Sequence, residues 1–115
     1  MREVSRVGRM TYDSTLVADF DDRVLAHLQV TIVAKLRRGE SFSFTWADAR
    51  EMGSGRTTVW LNPSVALAFR FFGSRPPAIN RAWIEHLTQS ANSAGGLRVV
   101  AEPEAVLPID RERQR

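Results

Sequence analysis

Residues 21–46 read DDRVLAHLQVTIVAKLRRGESFSFTW, and the period of the apolar positions changes once within them. Leu25, Leu28, Ile32 and Leu36 recur three or four residues apart, which puts them on one stripe of a helix. Asp21 and Asp22 stand where carboxylates accept free backbone N–H groups and face the positive end of the helix dipole. Lys35, Arg37 and Arg38 crowd the last turn, and Gly39 supplies the stop. Directly afterwards Ser41 to Trp46 alternates strictly, with Phe42, Phe44 and Trp46 on one face and Ser41, Ser43 and Thr45 on the other. That is the pattern of a half-buried strand.

Working outward, Arg9–Tyr12 and Leu16–Phe20 read as a hairpin around the polar turn Asp13-Ser14-Thr15. Downstream, Thr57–Leu61 and Val65–Phe71 read as strands around Asn62-Pro63-Ser64. Gly73-Ser74-Arg75-Pro76-Pro77 breaks the chain, and a second helix is expected from about Pro77 to Asn92, with Ile79, Trp83 and Leu87 in one stripe. Leu97–Ala101 completes the set as a short strand. The order β-β-α-β-β-β-α-β predicts an α+β fold, an antiparallel sheet with two helices packed on one face. Residues 1–8 are expected to be a flexible leader, 9–101 the single domain and 102–115 a flexible tail with two prolines.

The 115 residues contain no cysteine, which excludes disulfides, thiol nucleophiles and cysteine-ligated metals. His27 and His86 have no second ligand at a spacing found in metal motifs, so no metal or other cofactor is expected, and both are read as surface or boundary residues. Gly53-Ser54-Gly55-Arg56 is glycine-rich, but it feeds a strand and lacks the lysine and helix of a phosphate loop. The N-terminus has no apolar signal region, and no stretch approaches the ~20 apolar residues of a membrane span. The expectation is a cytoplasmic protein with no membrane partner.

Charge gives the lead toward a partner. Sixteen basic and thirteen acidic residues leave a formal net charge of +3, and Lys35 is the only lysine. Ten basic and six acidic residues fall between positions 20 and 100, so the surplus sits in the folded body. Lys35, Arg37, Arg38, Arg56, Arg75 and Arg81 are the candidate nucleic-acid contacts, for DNA or RNA, if the fold gathers them on one face. The same charges serve equally as dipole complements on a solvated surface. Trp60 and Phe72, on the outward side of their strands, are candidates for an interaction surface or a homodimer.

Several segments carry a family resemblance: Phe20-Asp21-Asp22-Arg23, Leu25-Ala26-His27-Leu28, Ala34 through Phe42, Ile79 through Glu85, and Ser90-Ala91-Asn92-Ser93 with Gly96-Leu97. Together, from about Met10 to Pro103, they resemble a family of small actinobacterial proteins often labelled "ATP-dependent DNA ligase". The arginine bias fits a GC-rich genome of that kind. Ligases of that type transfer a nucleotide through the lysine of a K-x-D-G motif. Here Lys35 is followed by Leu36, Arg37 and Arg38, and the chain is too short for a nucleotidyltransferase core and its partner barrel. The resemblance therefore implies an accessory, non-catalytic role and not a complete ligase.

Overall fold

A computed structural model describes residues 7–48, 53 and 55–104. The expected leader up to residue 6, the tail from residue 105, and residues 49–52 and 54 of the central loop lie outside the described residues. Eight elements follow in order: β1 (Val7–Tyr12), β2 (Leu16–Asp21), α1 (Asp22–Arg37), β3 (Phe42–Ala47), β4 (Arg56–Leu61), β5 (Leu67–Arg70), α2 (Arg81–Asn92) and β6 (Leu97–Arg98). The α+β class and the element order are those the sequence predicts.

The six strands form two three-stranded sheets. Sheet A has the order β2-β1-β5 and is antiparallel throughout. Sheet B has the order β4-β3-β6, with β3 and β4 antiparallel and β6 parallel to β3. A parallel partner needs a crossover connection. Here β4, β5 and α2 together form it and deliver Leu97 beside Phe44. Helix α1 lies against β1 and β2, α2 lies against β3 and β6, and the two helices lie against each other.

One apolar cluster joins all the layers. Met10 and Ala18 enter it from sheet A, Leu25, Leu28 and Ile32 from α1, Phe42, Phe44, Trp46, Val59 and Leu61 from sheet B, and Trp83, Leu87 and Ala91 from α2. The apolar halves of both periodic patterns in residues 21–46 therefore meet in a single core. Phe20 stacks on Phe44 with ring centroids 6.1 Å apart, and the Tyr12 hydroxyl donates to the Trp60 carbonyl at 2.9 Å, so side chains bridge the two sheets.

Several boundaries differ from the expected ones: β5 and β6 are shorter, at Leu67–Arg70 and Leu97–Arg98, and three further differences bear on packing. Strand β1 starts at Val7, so Val7 and Gly8 are paired with Asp21 and Phe20 and are not part of a leader. Helix α2 starts at Arg81, because Asn80 is its N-cap: its Oδ1 accepts from the backbone N–H groups of Ala82 at 3.0 Å and Trp83 at 3.4 Å. Pro77 and Ile79 consequently precede the helix, and Ile79 is exposed. Glu102, placed by the sequence in the tail, is bonded to Arg23 and Asn80.

His27 is a correction of position. It is fully buried, with Nδ1 2.7 Å from the Arg23 carbonyl and Nε2 accepting from the Asn80 backbone N–H at 2.8 Å. An acceptor Nε2 carries no hydrogen, so the proton is on Nδ1 and the ring is the neutral tautomer. Its ring centroid is 4.4 Å from that of Trp83. Asn80 completes the junction by donating from Nδ2 to Glu102 and to the Pro103 carbonyl, both at 2.9 Å. Arg23 clamps Glu102 bidentately at 2.7 and 2.8 Å. Arg23 and Asn80 together hold the Glu102 carboxyl at about 2, well below its ordinary range.

Candidate nucleic-acid interface

The six basic residues singled out in the sequence do not converge. Lys35 turns inward from the last turn of α1 and is 4% exposed. Its Nζ donates to Glu40 Oε1 at 2.6 Å and to Asn92 Oδ1, and lies 5.5 Å from the centre of the Phe42 ring. Arg38 donates to the other oxygen of Glu40 at 3.1 Å. Lys35 and then Arg38 hold the Glu40 carboxyl below the usual carboxylate range. Both cations are thereby committed within the chain, and Lys35 is withdrawn from any surface contact. Arg37 is exposed at the same end of α1.

The helices run side by side in the same sense, since His27 meets Asn80 and Trp83 while Lys35 meets Asn92. Arg81, the first residue of α2, stands at the opposite end of that pair, about 18 Å away for a twelve-residue helix. Arg75 lies in the loop before α2, where it lines a mostly apolar groove with Ala26, Gln29, Val30 and Ile79. Phe72 is 53% exposed and donates its backbone N–H to Asp22 beside sheet A, whereas Trp60 is on sheet B. These two aromatics therefore do not share a sheet face.

Arg56 is different because of its register. On sheet B the residues paired across β3 are Ala47 with Arg56, Thr45 with Thr58, and Ser43 with Trp60 on one side, and Thr45 with Arg98 on the other. Paired residues point to the same face of a sheet. Phe42, Phe44, Val59, Leu61 and Leu97 occupy the inner face. The outer face is thus built from Arg56, Arg98 and Trp60 around the hydroxyls of Ser43, Thr45 and Thr58. The two threonine hydroxyls are 2.7 Å apart and hydrogen-bonded to each other. Trp60 is 57% exposed. Among the described residues neither Arg56 nor Arg98 forms an ion pair.

The outer face is flanked by a depression at each end. Arg56, Arg98, Thr45 and Ala47 line one of about 550 Å³, whose wall also contains Asp19 and Asp21. Asp19 is bonded to Arg9 at 2.7 and 3.2 Å, and Asp21 caps α1 by accepting from the Arg23 N–H at 3.0 Å. Trp60, Ser43 and Asn92 line the other, of about 500 Å³. Arg98 did not stand out in the sequence. Alternation after Leu97 already puts it on the face opposite the core, but only the crossover through α2 decides that this face is shared with Arg56.

Among the described residues no group of three or more His, Asp or Glu side chains gathers where a metal ion could bind. Among the described residues no helix is long and apolar enough to cross a membrane.

The fold and the site define a small α+β domain with one cationic, aromatic outward sheet face. The chain belongs to the family described as a domain of unknown function, DUF7882, whose model matches residues 7–102. No curated protein and no solved structure matches the chain.

Proposed function

We propose that this chain is a non-catalytic basic domain that contacts nucleic acid through the outer face of sheet B. One observation carries the reading: Arg56 and Arg98, unpaired among the described residues, share a face with the exposed ring of Trp60. Guanidinium groups neutralise phosphates, and an exposed indole stacks on any base. The Ser43 and Thr58 hydroxyls between them add neutral hydrogen-bonding groups, while Thr45 is buried beneath and bonded to Thr58. A single strand suits the surface better than a duplex, because its bases are free to stack. An accessory role beside DNA repair or ligation is what the family resemblance would imply for this activity.

Fluorescence anisotropy with a labelled single-stranded oligonucleotide, DNA or RNA, tests the reading. Binding is expected to weaken steeply with salt, with a slope of about −0.7 per phosphate contacted. The double variant R56A/R98A is expected to lower the number of contacts by about two. Absence of binding to either strand chemistry at low salt overturns the proposal.

A second reading rests on the exposure of Trp60 alone: a second copy of the chain or another protein covers it. Light scattering at high protein concentration separates the two. A stable dimer that dissociates in W60A favours the second.

A further inference from the structure

The groove at the Trp60 end of sheet B differs chemically from the rest of the face. It runs between β3 and the end of α2, with a volume of about 500 Å³, and is lined by Trp60, Ser41, Ser43, Asn92, Ser93 and the Lys35–Glu40 pair. Its one ammonium is spent: Lys35 is 4% exposed and bonded to Glu40 and Asn92. Among the described residues the groove therefore has no free cation with which to hold a phosphate. What it offers is a flat indole face and neutral polar edges.

Those edges are oriented by the buried lysine. Because Asn92 Oδ1 accepts from Lys35, the amide group left over is the NH2, which has no protein partner among the described residues. The Ser41 and Ser43 hydroxyls likewise have no protein partner among the described residues, and each can donate and accept. A planar ligand with donors and acceptors on its rim, and without a charge of its own, matches this lining. A nucleobase is such a ligand.

We infer that the groove takes one base of the strand held by the sheet face, stacked on Trp60, with its rim against the Asn92 amide and the Ser41 and Ser43 hydroxyls. The inference rests on the nucleic-acid reading and divides the face into a phosphate end and a base end. Trp60 lies opposite Ser43, Arg98 opposite Thr45 and Arg56 opposite Ala47. Measured along the strands these positions are about 7 and 13 Å from Trp60, and Arg98 also lies about 10 Å across the sheet, two strand spacings away on β6. At 3.4 Å per nucleotide of a stacked strand, the longer span is room for about four nucleotides.

Intrinsic fluorescence gives a direct readout, since Trp46 and Trp83 are buried and Trp60 is exposed. The experiment titrates the full chain with a short single strand and with an abasic strand of the same length and charge. The intact strand is expected to quench Trp60 and to bind at least about fivefold tighter, the lower end of what one stacked base contributes. Both strands are expected to show the same salt slope. W60L is expected to abolish the preference and keep the slope, W60F to retain most of the preference, and Asn92→Ala to reorder affinities among homopolymers. Equal affinity for the intact and abasic strands, with R56A/R98A still weakening both, overturns the base site and leaves the sheet-face reading standing. No binding of either strand overturns both. Quenching that follows protein concentration instead of oligonucleotide assigns Trp60 to self-association and overturns the inference.

Discussion

Each sheet turns one face outward, and each of those faces carries two arginines. On sheet A they are Arg9 and Arg70, which are register partners, and Asp19 and Asp21 share that face from β2. Asp19 accepts from Arg9 at 2.7 Å, and that hydrogen bond raises the pKa of the guanidinium above its ordinary value. On sheet B, Arg56 and Arg98 are accompanied by Thr45, Thr58 and Trp60, and among the described residues none of its strands puts a carboxylate on the face, although Asp19 and Asp21 border the depression beside the arginines. The number of cations is equal, but on sheet A one of the two, Arg9, is already paired, whereas Arg70, like Arg56 and Arg98, forms no ion pair among the described residues. A surface arginine next to an aspartate already has its counter-charge, and a phosphate would have to compete for it. Net charge cannot distinguish these cases, whereas strand register can.

The largest effect is expected where the comparison can be broken by backbone alone. Arg98 sits on a strand of two residues, and Gly96 at its entry has φ +81. A Cβ at Gly96 would overlap Ser43 Oγ and lie 2.8 Å from the Ser43 carbonyl oxygen, which cannot move without disturbing β3. Gly96→Ala is expected to destabilise the protein by about 3 kcal/mol, combining a left-handed φ with a steric clash. Urea denaturation measures it. The folded remainder should bind single strands as weakly as R98A does, while the outer face of sheet A stays as it was. Wild-type stability in Gly96→Ala would mean that β6 is not fixed to β3 by this approach.

How much of this was legible in the sequence depends on the range of the interaction that decides it. Local signals were sufficient for α1. Asp21 is its N-cap, Leu25, Leu28 and Ile32 are fully buried, and Gly39 takes a φ of +79 just after its end. Strand β3 was equally plain, because its inner residues Phe42, Phe44 and Trp46 are all buried. What stayed hidden was long-range. Periodicity says which face of a strand is apolar but not which strand lies beside it, so the division into two sheets and the parallel β6 could not be read. Lys35 looked like a dipole-complementing surface cation, and its partner Asn92 is 57 residues away. Helix α2 starts four residues beyond Pro77 because Asn80, and not the proline, provides its cap.

Lys35 also provides the next test, since it represents a third kind of cation, committed to neither outer face. Lys35→Met keeps the buried stem and removes the charge. Glu40 and Asn92, both solvent-accessible, regain water in its place, so the expected loss is about 1–2 kcal/mol and not the larger value of a fully buried pair. The salt slope of oligonucleotide binding should not change, because Lys35 touches no phosphate. A slope lower by about one would return Lys35 to the contact surface. A smaller effect runs in the opposite direction on sheet A. Asp19→Asn releases Arg9 from its partner and makes that face resemble sheet B. Affinity for a single strand is expected to rise, by about two- to threefold, as one exposed ion pair is removed. If the affinity is unchanged, the pairing of Arg9 does not explain the difference between the faces.

The smallest effect concerns how acid reaches sheet B before sheet A. The segment after β6 is tied back to the helices at two points: the Trp83 indole donates to the Val100 carbonyl at 2.8 Å, and Glu102 is held by Arg23 and Asn80. Those two partners put the Glu102 carboxyl at about 2 in the folded chain, against an ordinary value of 4.5. A folded value below the unfolded one means that the ionised carboxyl favours the native state. Its contribution is complete above pH 4.5, declines as the pH falls toward 2, and is absent below both values. Since Glu102 is open to solvent, water and salt screen the pair and the change in urea midpoint should be modest. Glu102→Gln retains hydrogen-bonding atoms and loses the charge, so its midpoint should lie below the wild type at pH 5–7 and merge with it near pH 2. Hydrogen exchange should show the loosening first at Leu97 and Arg98 and not at β1, because the strap adjoins β6 and, among the described residues, has no hydrogen bond to sheet A. A constant difference between wild type and variant across this range would show that Glu102 holds the strap by shape alone.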